Sequence, residues 1–521
     1  MESLEASRRT KLEQIAALGV DPWGSRFDGR TPIGDIRQME VPEDPATGPQ
    51  IKAAGRVMTY RKMGKLRFID LADRTGKIQL MIGQKQVDET SWQLVDLLDL
   101  GDLLGVTGRL GKTRVGELTL FVEALHFQGK SLNPHPDKWS GIEDKEFALR
   151  HRYLDFIYTP ELRAKAEARL RIMQGIRQFL DAEGYFDVET PVLHSIAGGA
   201  AARPFATHHN ALDIPLFLRI ALELPLKKLL VAGFDKVYEL GRVFRNEGIS
   251  PKHNPEFTMM ELYQAYGNYE TMMDLTERLV EKLVNSLPTP KSEVAANMLT
   301  SPVTKEGDAR MLPSPLEGEG PGVRGSMMTL PYGDRSINFT TPWLRQKYAD
   351  LFQQHVGVDM RDPKAVEAVA RKLEIDPTGK DHPVLIHLLF EIVVEPALAK
   401  LDRPVFVYDY PAALCPLTKR KMDDPFIAER FECYVLGMEI ANAYTELNDP
   451  DTQEATFRAQ LTGMKEDDSM AKMDMDFVTA LRYGMPPAGG LGIGIDRLCM
   501  LLTNSQTIRD VILFPLLRPA K

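Results

Sequence analysis

The sequence predicts an α+β protein in which a small N-terminal β-barrel or sandwich precedes a larger domain of helices and paired strands. The chain has 521 residues, 43% hydrophobic and 26% charged, a composition typical of a globular protein with two or more domains. Short β-like runs fill residues 51–127, and a long helical pattern with strand-like segments follows from residue 159. We predict domains over residues 1–135 and 136–521.

The first domain is expected to begin with a charged amphipathic helix and to continue as a barrel over residues 51–127. Its strand-like runs are IKAAGRVMTYR, LRFIDLADRTGKIQLMI, LLGVTGRLGK and ELTLFVEALHF. Glycine-bearing turns separate these runs, which is the pattern of a small closed β-structure.

Positive charge alternates with aromatic rings in the first two runs. The residues concerned are Arg56, Tyr60, Arg61, Lys62, Lys65, Arg67 and Phe68. Such a surface suits single-stranded nucleic acid, because cations follow the phosphates while rings stack on unpaired bases. The alternative is a solvated strand face with Phe68 in the core. The net charge of -9 does not exclude nucleic acid, because phosphate contacts depend on local clusters of Lys and Arg.

The second domain is expected to follow a polar linker over residues 129–150. Thr159 and Pro160 resemble an N-cap and the first residue of a helix that Gly184 would end. Its apolar stripe would consist of Leu162, Ala166, Leu170, Met173, Ile176 and Leu180. A strand-like segment then runs to Pro191. Residues 288–327 are dominated by Pro, Gly and charge, and we expect a disordered surface insertion there.

Several classes of protein are disfavoured by composition. The three cysteines include no C-x-x-C pair, so neither a disulfide framework nor a cysteine zinc site is indicated, and a reducing cytoplasm is the expected location. The N-terminus lacks the apolar core of a secretory signal. The most apolar later stretch, Val384 to Ala399, is too short to span a bilayer. We interpret it as a buried helix and expect no membrane partner.

Three segments of the sequence partly resemble phosphate-binding motifs. Two segments that end like a P-loop, around Lys112 and Lys130, lack its first glycine and are rejected. The segment GGLGIGIDR, Gly489 to Arg497, does not fit the dinucleotide fingerprint. Its bare backbone would let a flat base approach a strand, with Asp496 capping the next helix and Arg497 in the first turn of that helix.

The strongest local signal is FRNEGISPKHNPEFTMMELY, residues 244–263. If it forms two strands joined by a loop, period two places Val243, Arg245 and Glu247 on one face of the first strand. The shared face of the return strand would carry Phe257, Met259, Glu261 and Tyr263, and the loop would carry Lys252, His253 and Asn254. Such a hairpin offers a guanidinium and a cationic loop to a polyphosphate. Glu261 among apolar neighbours would be costly without a paired cation.

A third cluster lies in RFECYVLGMEIANAYTELNDP, residues 430–450. Glu439, Asn442 and Glu446 are three and four residues apart, so they share a face if this stretch is helical. A turn at Gly437 would bring Glu432 and Glu439 to one divalent ion, in the way that Mg²⁺ is held between protein oxygens and substrate phosphates. The alternative is a solvated acidic face.

Together these segments resemble the class II aminoacyl-tRNA synthetases, and specifically the bacterial type of the lysyl-tRNA synthetase family. The helix and strand ending at Pro191 resemble motif 1, FRNEGI through NPEFTMMELY resembles motif 2, and GLGIGIDR resembles motif 3. GGAAARPFATHHNALD and YPAALCPLTKRKMDDP also match, and the N-terminal strands resemble the family's anticodon-binding OB-fold. The resemblance covers nearly the whole chain apart from residues 288–327. It implies an antiparallel catalytic sheet of six to seven strands flanked by helices, and a homodimer built through motif 1.

The resemblance also implies an ATP-dependent ligase that joins L-lysine to tRNA(Lys), and it assigns the residues of the site. Arg245 and Arg497 would be catalytic, with Arg245 on the α-phosphate of ATP and Phe257 stacked on adenine against Arg497. The other ATP-binding residues would be Glu247, His253 and Asn254, and the Mg²⁺ ligands would be Glu432 and Glu439. The lysine pocket would be lined by Gly199, Glu223, Glu261, Tyr263, Asn442 and Glu446. Arg61 and Phe68 would bind the anticodon.

The residues themselves also favour a cationic substrate, since Glu223, Glu261 and Glu446 are left over once the phosphate ligands are assigned. Two other functions stay open. One is a ligase that attaches a lysine analogue to a protein, and the barrel counts against it because such ligases lack that domain. The other is a nucleic-acid-binding protein with an inactive catalytic domain, and the retained motif positions count against it.

Overall fold

The computed structural model describes residues 2–42, 44–135, 142, 144–200, 202–287, 328–461 and 474–519. The chain divides into two compact units, with the change between them at residues 143 and 144. The predicted insertion over residues 288–327 lies outside the described residues. The predicted boundary at residues 135 and 136 stays a prediction.

The first unit contains a closed barrel, as the strand pattern predicts. Its strands are β1 Gln50–Met63, β2 Leu66–Ala72, β3 Lys77–Gly83, β4 Leu103–Lys112 and β5 Leu118–Gly129, in the order β1-β2-β3-β5-β4. Its helices are α1 Glu2–Ala17, α2 Ile33–Ile36 and α3 Glu89–Asp96, with a 3₁₀ turn at Pro45–Thr47. Alternate side chains such as Ile69, Leu71 and Leu80 are fully buried, as period two requires of strands with one face in a core.

The second unit is built on a sheet of eight strands in the part of the chain that the structure describes. The strand order is β14-β15-β16-β17-β18-β11-β10-β6. The strands of this unit are β6 Phe186–Asp187, β7 Leu193–His194, β8 Ala206–His209, β9 Ile214–Leu218, β10 Lys236–Phe244, β11 Glu256–Ala265, β12 Thr329–Tyr332, β13 Arg335–Asn338, β14 Leu344–Lys347, β15 Val405–Pro411, β16 Ile427–Val435, β17 Met438–Thr445 and β18 Ala488–Gly494. The six from β15 to β10 are antiparallel, and the short edge strands β14 and β6 pair parallel to their neighbours.

Helices cover both faces of this sheet. They are α4 Lys145–Arg150, α5 Arg152–Tyr158, α6 Pro160–Ala182, α7 Glu223–Val231, α8 Tyr269–Ser286, α9 Tyr348–Val356, α10 Pro363–Lys372, α11 His382–Leu389, α12 Glu395–Leu398, α13 Pro450–Leu461, α14 Met475–Arg482, α15 Ile495–Leu502 and α16 Ile508–Val511, with a π turn at Phe390–Val394 and a 3₁₀ turn at Ala412–Leu414. Apolar residues of α6, α8 and α15 form a core with one face of the sheet. Residues of α7 and α14 pack against the other face, where Tyr263 lies.

Helix α6 begins at Pro160 as predicted, and Gly184 follows its end with a φ of 83°. The predicted stripe is wrong at Leu170, which is 54% exposed, because the buried stripe runs through Arg169 instead. The strand after the helix is much shorter than predicted, only Phe186–Asp187.

The apolar stretch from Val384 to Ala399 is not the single buried helix that the sequence suggests. The π turn divides it into α11 and α12, and Val384 and Ile392 are 43% and 52% exposed. Among the described residues, the structure contains no helix that is both long and apolar enough to cross a membrane.

Candidate active site

A cavity of about 400 Å³ lies over the hairpin formed by β10 and β11. The two strands pair without interruption from Lys236 and Gln264 to Phe244 and Glu256, as predicted. Phe257, Met259 and Glu261 of β11 line the cavity, and Met260 between them is buried in the core beneath. The predicted place of Arg245 and Glu247 on the first strand is wrong.

Strand β10 ends at Phe244, so Arg245 and Glu247 lie in the connecting loop and not on a strand face. The loop still directs both towards the cavity, and it also contributes His253 and Asn254 to the lining. Glu247 is exposed at the rim.

Arg245 and Phe257 form a cation–π pair that lines the cavity. The guanidinium carbon of Arg245 is 5.2 Å from the centre of the Phe257 ring, and Nε donates to the carbonyl of Ile220 at 3.4 Å. Burial lowers the pKa of Arg245, although a guanidinium remains charged at any physiological pH. A fixed cation beside an aromatic face suits a nucleotide, whose phosphates and base these groups bind separately.

Arg497, from the first turn of α15, supplies a second cation to the cavity. Its Nη1 donates to the carbonyl of Glu439 at 2.9 Å and to the carboxylate of Glu439 at 3.3 Å. Its Nη2 lies 3.0 Å from Nε2 of His253, and Nδ1 of His253 lies 2.8 Å from Oγ of Ser250. Because arginine only donates, Nε2 accepts and the imidazole is neutral. Burial, followed by the charge of Arg497, lowers the pKa of His253 and so favours this neutral form.

Asn254 is buried in the loop, and the oxygen of its side-chain amide forms no hydrogen bond with the described residues. Nδ2 donates to the carbonyl of Glu256 at 2.6 Å, and Oδ1 has no hydrogen-bond partner among the described residues. Because an unmade buried hydrogen bond is costly, this oxygen is available to a donor that enters the cavity.

Glu432 and Glu439 lie on adjacent strands β16 and β17. Glu432 accepts hydrogen bonds from the hydroxyls of Tyr410, at 3.0 Å, and Tyr434, and it pairs with Arg430. Burial, followed by the charge of Glu432, raises the pKa of Glu439. No group of three or more His, Cys, Asp or Glu side chains suitable for a metal occurs within the described ranges. Glu432 and Glu439 therefore repel each other, and each also has an arginine partner, Arg430 and Arg497 respectively.

The stretch over residues 430–450 is not helical. It forms the hairpin of β16 and β17, which turns at Leu436 and Gly437. The strand register shifts at Cys433 and Tyr434, where a bulge adds one residue to β17. Glu439 and Asn442 are three residues apart, and because of the bulge both line the cavity.

Glu261 of β11 lines the same cavity. It is 5% exposed and accepts hydrogen bonds from the backbone N–H of Leu222, at 3.1 Å, and from the hydroxyl of Tyr263, at 3.2 Å. Burial, followed by the charge of Glu223, raises the pKa of Glu261 to about 7. A cation placed beside this carboxylate would therefore stabilise its ionised form.

Glu223 and Glu446 are also buried, and both pair with a residue that the sequence reasoning missed. Lys227, one helical turn after Glu223 on α7, places its ammonium against both carboxylates. The hydroxyl of Tyr444 donates to Glu223 at 2.9 Å. The i, i+4 spacing of Glu223 and Lys227 was the available signal, but no helix had been predicted there.

Two glycines give the carboxylates room. Gly490 of β18 lies between Tyr444 and Tyr263, and a Cβ at this position would stand 1.9 Å from Oε1 of Glu446. Gly199 has a φ of 84° and lines the cavity, where a Cβ would stand 3.1 Å from that of Ala221. Neither position accepts a side chain without displacement of its neighbours.

Asp496 was predicted as a helix cap, and this prediction is wrong. The N-cap of α15 is Gly494, and Asp496 is the second residue of the helix. Its carboxylate instead accepts from the backbone N–H of Thr258, at 2.7 Å, and from Arg169, at 2.5 Å. The sequence contained no local signal for this pairing, because the partners lie on three distant segments.

The anticodon residues of the prediction lie on the barrel. Arg61 of β1 and Phe68 of β2 are cross-strand partners, with the guanidinium 5.8 Å from the ring centre. Phe68 is half-buried beside Arg61 and does not belong to the barrel core. Arg67, expected on the same surface, is buried and pairs with Asp96 at 3.0 Å.

Comparison with known proteins agrees with this architecture. Residues 144–518 match the family model of class II tRNA synthetases (D, K and N), and residues 51–127 match that of the OB-fold nucleic acid binding domain. The chain is 44% identical to the lysine–tRNA ligase of Pelotomaculum thermopropionicum, over 100% of this chain and 96% of the relative. It is 45% identical to that of Moorella thermoacetica, over 99% and 98% of the two chains. It is 42% identical to that of Dehalococcoides mccartyi, also over 99% and 98%.

The fold and the cavity together define a class II tRNA synthetase, an ATP-dependent ligase with an appended OB-fold. Within that class the chain belongs to the lysine–tRNA ligase family, whose substrates are ATP, lysine and tRNA. The family resemblance, the α+β fold class and the ligase activity predicted from the sequence are confirmed. The alternative of a ligase that modifies proteins gains no support from these relatives.

Proposed function

We propose that this chain activates L-lysine with ATP to form lysyl-adenylate and transfers the lysyl group to the 3′ end of tRNA(Lys). One observation carries the proposal: a single cavity is lined by two arginines, Arg245 and Arg497, and by two buried carboxylates, Glu223 and Glu261. The arginines suit the phosphates of a nucleotide, and the carboxylates suit an amino acid with a cationic side chain.

The ATP site would use side chains that already line the cavity. Phe257 would stack on adenine against Arg497, and Arg245 would contact the α-phosphate. His253, neutral and held by Arg497, has Nδ1 directed to Ser250. Glu247 at the rim and the free Oδ1 of Asn254 would accept hydrogen bonds from ATP or its ordered water.

Glu432 and Glu439 would hold Mg²⁺. The fit rests on the donor set, since two carboxylates that repel each other beside a phosphate-binding cavity favour a divalent cation between them. Mg²⁺ usually takes one or two protein carboxylates and completes its shell with phosphate oxygens and water. When bound, the ion would neutralise charge on the phosphates of ATP.

The lysine site would use the three carboxylates with Gly199, Tyr263 and Asn442. A hydrogen bond to a charged group contributes about 1.5 to 3 kcal/mol, so two carboxylates on the ε-ammonium would exclude a neutral isostere by about two to four orders of magnitude. Rejection is strong because a neutral side chain would leave the buried Glu261 without a cation from the substrate.

The reaction needs no protein nucleophile. A carboxylate oxygen of lysine attacks the α-phosphorus in line, and the bond to pyrophosphate breaks as Arg245 neutralises charge on the α-phosphate. The terminal adenosine hydroxyl of tRNA then attacks the carbonyl carbon, and AMP leaves. Positioning and preorganised charge supply the rate acceleration.

The remaining parts of the proposal concern partners. Arg61 and Phe68 of the barrel would contact the anticodon. The homodimer expected from motif 1 would cover apolar side chains exposed around α6 and β6, such as Leu170 and Phe186, which are 54% and 62% exposed. We place the enzyme in the cytoplasm, where the reducing environment suits its free buried cysteines.

Exchange of radioactive pyrophosphate into ATP, measured with each of the twenty amino acids, tests the proposal. We expect lysine alone to support rapid exchange. Arg245→Ala should slow exchange by at least about a hundredfold, the effect of removing one preorganised charge contact, with the thermal unfolding midpoint retained. A preference for another amino acid, or near-normal exchange in Arg245→Ala, would overturn the assignment.

A further inference from the structure

Lys227 is a buried cation beside Glu223, one of the carboxylates that line the cavity. Its side chain has no exposed surface, and its ammonium forms ion pairs with Oε1 of Glu223 and Oε2 of Glu446. Three aromatic rings enclose the ammonium, with ring centres 5.9 Å away for Tyr263, 5.6 Å for Tyr444 and 5.9 Å for Phe477. Glu223 lines the cavity, so the ammonium approaches it from the protein side.

The charges around Lys227 do not balance. The carboxylates that act on Lys227 are Glu223 of α7 and Glu446, which follows β17. Tyr263 of β11 and Tyr444 of β17 place their rings near its ammonium, and Glu261 of β11 acts on Glu446. Burial raises the pKa of both tyrosines, which are therefore neutral. Within this ion-paired group one ammonium faces two carboxylates, Glu223 and Glu446, and a substrate ammonium would supply a second positive charge.

Glu446 shows where the missing charge is needed. Oε2 forms the ion pair with Lys227, and both carboxylate oxygens are buried with no hydrogen-bond partner among the described residues. Burial raises the pKa of Glu446, and the charge of Lys227 opposes that rise. Without Lys227 both carboxylates would be buried with no ion-pair partner on this side.

Resting on the proposed function, we propose that Lys227 is a positioning and specificity residue for lysine. Its ammonium bridges Glu223 and Glu446, so that an incoming cationic side chain meets carboxylates that are already aligned. Lys227 thus acts through the two carboxylates and does not touch the substrate.

Replacement of Lys227 by methionine, which has a similar shape and no charge, tests this role. In lysine-dependent pyrophosphate exchange at saturating ATP, we expect Lys227→Met to raise the KM for lysine at least tenfold at pH 7. The KM for ATP should stay within twofold of the wild-type value.

Two further variants separate charge from structure. Lys227→Arg keeps the charge, so its KM for lysine should follow the wild type. Lys228→Met is the matched control, because Lys228 on the same helix pairs with Asp476 at the surface, at 2.6 Å, and should leave both KM values unchanged.

A KM for lysine in Lys227→Met that is unchanged, or that rises no more than the KM for ATP, would overturn the positioning role. If Lys227→Met does not fold, Lys227→Arg decides, and a tenfold rise in its KM for lysine would count against the proposal. A wild-type chain without lysine-dependent exchange would instead overturn the proposed function itself, and this inference with it.

Discussion

At the scale of single residues, the buried carboxylate of Glu261, which would bind a substrate cation, lowers the stability of the fold. Its pKa rises from the ordinary 4.5 to about 7 in the folded chain, mainly through burial. A carboxyl group whose pKa is raised by folding disfavours the folded state, and this effect grows as the pH rises from about 4.5 to 7. Above pH 7 the cost is about 3 kcal/mol, since each pKa unit corresponds to about 1.4 kcal/mol. Lysine would recover this free energy on binding.

Glu261→Gln should therefore stabilise the protein and weaken lysine binding. We expect its free energy of unfolding at pH 8 to exceed that of the wild type by about 1 to 3 kcal/mol, with little difference at pH 5, where Glu261 is neutral in the fold. Urea unfolding at the two pH values measures this. In the wild type the KM for lysine should fall as the pH rises through about 7. A stability difference equal at both pH values would refute the role of ionisation.

At the scale of elements, a buried ion pair joins three parts of the catalytic unit. Arg169 of α6 contacts Asp496 of α15 at 2.5 Å and Oγ1 of Thr258 on β11 at 3.0 Å. Asp496 also receives the backbone N–H of Thr258. Both charged residues are under 5% exposed, so each depends on the other for charge compensation. The pair fixes the first turn of α15, from which Arg497 enters the cavity.

Arg169→Met should destabilise the protein by about 3 to 5 kcal/mol, because it leaves Asp496 buried without a cation. It should also raise the KM for ATP, since Arg497 follows Asp496 directly. Arg171→Met on the exposed face of α6 is the matched control and should change neither quantity. Denaturant unfolding and pyrophosphate exchange measure the two effects. A loss of stability in Arg169→Met with an unchanged KM for ATP would show that the pair does not position Arg497.

Elements also show how far the sequence could predict this structure. The β10–β11 hairpin was predictable because successive side chains of a strand point to opposite faces, and the sequence of β11 places Glu261 on one face and Met260 on the other. Residues 430–450 were misread because a bulge lets Glu439 and Asn442, three residues apart, share a face, which imitates a helical spacing. The contacts of Lys227 with Glu446, and of Arg169 with Asp496, join distant segments. No local pattern encodes such pairs, so only the folded chain displays them.

At the scale of the whole molecule, the residues proposed for catalysis and for tRNA recognition belong to different compact units. The cavity is lined entirely by residues between Gly199 and Ile508, all in the second unit. Arg61 and Phe68 belong to the first. Adenylate formation should therefore be separable from tRNA charging by substitution in the barrel alone.

The double variant Arg61→Ala, Phe68→Ala tests this separation. Lysine-dependent pyrophosphate exchange should be unchanged, because it needs no tRNA. The KM for tRNA(Lys) in charging should rise about fivefold to a hundredfold, since the stacking of one base on an aromatic ring contributes about 1 to 3 kcal/mol. Arg109→Ala is the control, because Arg109 is a second arginine of the barrel. It is half-exposed and pairs with Glu123 at 3.1 Å. If both variants weaken charging equally, the barrel attracts tRNA only through general positive charge. A selective loss in the double variant would identify the pair of Arg61 and Phe68 as a site for an unpaired base.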